Sequence, residues 1–134
     1  MDLQLNPSLS HSLDNFDPSK AAQTLGDLLR QTPEYCTYIA ALKAMNSDLT
    51  TQKLSAEMRG HQMAVKWGRD PDGQHVSAMT QLELELDRLP AVEAYRRAER
   101  EISALFQAVD QIISQELGLA FAANAQRSGC ACSG

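Results

Sequence analysis

Residues 90–117 read PAVEAYRRAEREISALFQAVDQIISQEL, and this stretch decides the fold. Within it Tyr95, Ala98, Ile102, Leu105, Val109 and Ile112 recur at intervals of 3, 4, 3, 4 and 3. That spacing lines apolar side chains along one face of an α-helix and suits coiled-coil packing, and Phe106 and Ile113 widen the stripe. Pro90 fits the first helical position, Gly118 fits the left-handed residue after the last turn, and Leu119 can fold back onto Ile113 or Ser114. A helix of this length spans about 42 Å. A compact chain of 134 residues has a radius of gyration of about 14 Å, equivalent to a sphere about 36 Å across. The sequence therefore predicts an all-α, elongated bundle of about five helices in which the long C-terminal helix exceeds its coverings. Tyr95, Ile102, Leu105, Phe106, Val109, Ile112 and Ile113 are expected to form an interface with another subunit.

The remaining helices follow from start and stop signals. Asp17-Pro18 gives an N-cap and a first-turn proline, with Ala22, Leu25 and Leu29 on one face of a helix running to about Gln31. Thr32-Pro33-Glu34 repeats that grammar and opens a second helix with Tyr35, Tyr38 or Ile39, Leu42 and Met45 inward. Asn46-Ser47-Asp48 can cap a third helix carrying Leu54, Met58, His61 and Val65, which ends at Trp67-Gly68; a break here is favoured over the alternative in which the second and third helices merge. Asp70-Pro71-Asp72-Gly73 is a turn. Leu82, Leu84 and Leu86 alternate as in a strand, while Met79, Leu82, Leu86 and Leu89 keep helical spacing. The absence of β-branched residues from Leu82 to Leu89, and a capping box of Thr80 with Glu83, favour a short helix. Residues 1–16, polar and without sustained periodicity, read as a disordered tail, 17–126 as the helical domain, and 127–134 as a flexible, cysteine-containing tail.

Composition narrows the function classes. Seventeen acidic against twelve basic residues give a net charge of −5. Arg96, Arg97 and Arg100, the densest basic group, interleave with Glu93, Glu99 and Glu101, which predicts a salt-bridged solvated face and no direct contact with nucleic acid. Residues 1–16 contain no Lys or Arg and no apolar run, and no stretch approaches the roughly 20 apolar residues of a bilayer span, so the expected location is the cytoplasm without membrane insertion. An odd count of three cysteines, two of them separated by one residue, suits a reducing compartment.

Cys130-Ala131-Cys132, set among Ser and Gly, is the constellation that looks chemical. Paired thiolates are soft ligands for zinc, copper(I) or iron–sulfur centres, but such sites normally take four ligands. Either a second chain supplies the other pair, or the tail belongs to a larger complex, or the thiols are incidental. Cys36 reads as a small core residue, and His61, with Glu57 one turn earlier, as a half-buried histidine with a hydrogen-bond partner. His75 and His11 read as solvent-facing. No Glu-x-x-His, P-loop, GxGxxG or GxSxG sequence occurs, so catalysis is not expected.

Several of these elements, in this order and spacing, resemble the YlbF/YmcA family of small bacterial regulators over about residues 17–132. They are Ala22 and Leu25 before Thr32-Pro33-Glu34-Tyr35, Gln62 late in the third helix, and Pro90-Ala91-Val92 with Tyr95. Asp110-Gln111-Ile112-Ile113, Gly118-Leu119 and Cys130-Ala131-Cys132 complete the set. The resemblance implies an all-helical, non-catalytic protein that assembles with itself or with related helical partners. It further implies a role in competence, sporulation or biofilm formation, action on messenger RNA processing through a membrane-attached endoribonuclease, and an iron–sulfur cluster held through Cys130 and Cys132. A thiolate metal carrier or redox sensor is the alternative that the tail alone would support.

Overall fold

The computed structural model describes residues 15–126. It contains six helices, α1 (Pro18–Arg30), α2 (Pro33–Ser47), α3 (Leu49–Lys66), α4 (Gln74–Arg88), α5 (Pro90–Leu117) and α6 (Phe121–Gln126), and no strand among the described residues. The all-α class and the long C-terminal helix are as the sequence predicts. The tail at 127–134, with Cys130 and Cys132, lies outside the described residues, as does the tail at 1–16 except its last two residues.

The chain divides into two compact units at Pro33/Glu34. The first contains α1, whose N-cap Asp17 accepts a hydrogen bond from Ser19 N through Oδ1 at 2.9 Å. Its last turn closes through Gln31 N on Leu28 O and Thr32 N on Leu29 O, both 3.1 Å.

The second unit is built by local signals that act one after another. Asp48 N closes on Met45 O at 3.3 Å, and its side-chain Oδ2 accepts from Thr51 N at 2.8 Å and Thr51 Oγ1 at 2.7 Å. One residue thus separates α2 from α3, because a carboxylate at the N-cap satisfies amides that lack a helical acceptor. Gly68, at φ 68°, ends α3 with Arg69 N reaching back to Ala64 O at 2.9 Å.

Asp70 then accepts from His75 N through Oδ1 at 2.9 Å and from Val76 N through Oδ2 at 3.1 Å, while Gly73 takes a left-handed φ of 68°. This cap starts α4 at Gln74, six residues before the start expected at Thr80. Thr80 Oγ1 instead donates to Val76 O at 3.1 Å, the ordinary use of a threonine inside a helix. Helical spacing prevails over alternation: Leu82 is buried and Leu84 is 54% exposed.

α3 and α4 pack together along their lengths, and α5 follows α4 after the single residue Leu89. Leu89 is extended (φ −67°, ψ 131°), the conformation that a following proline imposes. Among the described residues, Leu82 of α4 with Val92, Ala98 and Ile102 of α5 make up the buried apolar residues. α5 stops at Gly118 (φ 71°), where Leu119 N bonds to Ser114 O at 3.2 Å in the predicted Schellman arrangement.

The two capping carboxylates make stability pH-dependent. The Thr51 hydroxyl, and then the Thr51 amide, hold Asp48 below its ordinary value of 3.8, and the His75 amide leads in doing so for Asp70. A lowered folded value means stabilisation that is complete above the ordinary carboxyl range and is lost as pH falls through the depressed value. In thermal melts followed by circular dichroism, Asp48→Ala and Asp70→Ala are each expected to lower the midpoint at neutral pH. Each should also lose less than the parent between about pH 5 and pH 2.

Candidate functional site

The apolar stripe of α5 is covered over its first half and open over its second. Val92, Ala98 and Ile102 are 5%, 1% and 6% exposed. Beyond them Leu105, Val109 and Ile113 are half-buried, whereas Phe106 and Ile112 are 47% and 60% exposed. Leu117, Leu119 and Phe121 continue the exposed apolar surface past the helix end. Of the seven expected interface residues, Tyr95 and Ile102 are engaged in the unit's own packing, Leu105, Val109 and Ile113 are half-buried, and Phe106 and Ile112 are exposed.

The end of this surface is fixed by side-chain caps. Asp110 Oδ1 accepts from Ala122 N at 3.0 Å, and Ser114 Oγ accepts from Phe121 N at 2.9 Å. These bonds seat α6 against the last turns of α5. The sequence offered Asp110 and Ser114 one turn apart just before a glycine stop, a signal for such a cap that helical periodicity does not register.

Tyr95 joins α5 to α2. Its ring centroid lies 5.6 Å from that of Tyr38, tilted by 41°, with the hydroxyls 3.4 Å apart and Tyr95 Oη donating to Glu99 Oε1 at 3.5 Å. The Tyr38 hydrogen bond first, then desolvation and the negative charge of Glu99, push the Tyr95 phenol up to about 12.

His61 of α3 and His75 of α4 meet Nδ1 to Nδ1 at 2.8 Å, with ring centroids 5.1 Å apart. His61 is half-buried with a partner, as expected, but His75, expected to face solvent, is half-buried too. Such a contact requires one ring to donate and the other to accept. Two ring nitrogens bound to one tetrahedral metal at about 2.0–2.1 Å would stand roughly 3.3 Å apart, so the spacing fits a shared proton. No group of three metal-ligating side chains occurs among the described residues.

The arginine cluster behaves only partly as read. Arg97 pairs with Glu93 at 3.1 Å within α5, the predicted i, i+4 bridge. Arg96 instead reaches across the Leu89 corner to form an ion pair with Asp87, Nη2 to Oδ1 at 2.6 Å, although that oxygen, shut off from solvent, accepts no hydrogen bond of good geometry. Cys36, expected in the core of the second helix, is exposed in the first turn of α2.

Among the described residues the protein is helical, with exposed apolar side chains along the second half of α5. The family model described as control of competence regulator ComK, YlbF/YmcA, matches residues 19–118, most of the chain. The chain belongs to that family of regulators. It matches none of the curated proteins and none of the solved structures with which it was compared. No helix among the described residues is long and apolar enough to cross a membrane.

The tyrosine contact has a spectroscopic consequence. In an ultraviolet titration at phenolate wavelengths, one of the three tyrosines is expected to ionise about two pH units above an ordinary phenol. Tyr38→Phe should bring that late step down; an unchanged late step would show that another contact holds the Tyr95 proton.

Proposed function

We propose that the chain is a non-enzymatic regulator that works by assembly. The second half of α5 packs against a second copy of the chain or a related helical chain in coiled-coil fashion. Support comes above all from Phe106 and Ile112, which stand 47% and 60% exposed on a stripe whose earlier members are buried. Fully burying side chains of this type contributes about 1.5–3 kcal/mol each, and a contiguous exposed apolar face is the usual mark of an association site.

In this proposal Cys130 and Cys132 supply two thiolates to an iron–sulfur cluster shared with another chain. A site of four thiolates is then completed only in the complex. Membership of the regulator family supports the regulatory role. The specific process, messenger RNA processing or another developmental step, belongs to the proposal.

Two measurements test the parts separately. In sedimentation velocity at micromolar concentration, the parent protein is expected to run as an oligomer, alone or with a related partner. Phe106→Glu with Ile112→Glu should dissociate it by more than tenfold in affinity at unchanged helicity. A parent that stays monomeric alone and with partners contradicts the assembly reading. Anaerobic preparation with iron and sulfide should give a coloured complex that Cys130→Ser, Cys132→Ser lacks. If only bound metal is lost while assembly persists, the thiolates are accessory to the helix; colourless, iron-free complex removes the cluster.

A further inference from the structure

A cavity of about 360 Å³ opens where the end of α2, the start of α3, the end of α4 and the start of α5 converge. It lies on the first half of α5, away from the open stripe. Its apolar wall is Met45, Leu86 and Val92, and Arg59 and Arg96 supply its charge. Asn46, Thr51, Gln52, Ser55 and the Tyr95 ring complete the lining, and no acidic residue belongs to it. In a chain of net charge −5, a cavity with only cationic charge on its walls selects for an anion.

The charge balance decides which kind. Arg96 is neutralised by Asp87 at 2.6 Å, outside the lining, whereas Arg59 has no ion-pair partner among the described residues. One uncompensated guanidinium matches a single negative charge, and its planar fork matches the two oxygens of a carboxylate. A phosphate dianion would leave a charge unmatched. The wall of Met45, Leu86 and Val92 gives an apolar body a place to sit, and the volume is near the lower limit of small-molecule sites, which limits the ligand to on the order of ten non-hydrogen atoms.

We infer that this cavity binds a small free monocarboxylate, with its carboxylate on Arg59 and its hydrocarbon part against Met45, Leu86 and Val92. The ligand then bridges α3 and α5, adding a tie between them beside the corner that Arg96 and Asp87 hold. The inference does not rest on the assembly face, since none of Leu105, Phe106, Val109, Ile112 or Ile113 lines the cavity.

The test is a titration of the full chain with sodium hexanoate, followed by amide chemical shifts. Saturable shifts are expected at Thr51, Gln52, Ser55, Val92 and Arg96. Hexylamine and inorganic phosphate should leave those amides in place. Arg59 is exposed, so Arg59→Gln should keep the fold while weakening hexanoate binding at least tenfold, and Arg59→Lys should recover part of the loss. Ser55→Leu, which fills the cavity from the α3 wall, provides a second variant and should abolish the shifts. No saturable shift with hexanoate at millimolar concentration, equal response to hexylamine or phosphate, or undiminished binding by Arg59→Gln would each overturn the assignment.

Discussion

A helix of 28 residues that is amphipathic throughout needs apolar cover along its whole stripe; Val92, Ala98 and Ile102 are buried, whereas beyond them Leu105, Val109 and Ile113 are half-buried and Phe106 and Ile112 exposed. The covered half is anchored firmly. Leu89 turns the chain, Arg96 crosses the turn to Asp87, and Tyr95 rests on Tyr38 of α2. The open half remains helical because its sequence favours helix and its end is closed by Gly118 and by the caps that Asp110 and Ser114 place on α6. Phe106 and Ile112 are thus presented on a rigid element, and a rigid face loses little conformational entropy when it is buried.

The two halves of α5 present two different surfaces. Near its start, four helix ends meet around a cavity with Arg59 on its wall. Near its end, the exposed side chains of Phe106 and Ile112 precede the turn onto α6. In a regulator that acts by assembly, a small-molecule site on one half and a partner site on the other would be coupled if the ligand biases the angle at which α5 leaves the Leu89 corner. Membership of the YlbF/YmcA family gives this arrangement a regulatory setting.

Legibility in the sequence followed the range of each interaction. The bounds of α5, the break at Asp48 and the stop at Gly68 were readable because Pro, Asp and Gly act on neighbouring amides within a few residues. α4 starts earlier than the pattern of Thr80 and Glu83 suggests because Asp70 caps it from five and six residues away, across a turn. Tyr38 with Tyr95, His61 with His75 and Arg96 with Asp87 were not readable, since each pair depends on how helices cross or turn. Periodicity placed Ile102 and Phe106 on one stripe, but only packing distinguishes the buried member from the exposed one.

Hydrogen exchange along α5, measured as protein concentration is raised, shows whether its second half is covered by another chain. Amides from Leu105 to Leu117 are expected to gain protection with concentration, or on adding a related helical partner, while those from Val92 to Ile102 stay constant. Protection of the second half that is independent of concentration and of partners would contradict such cover.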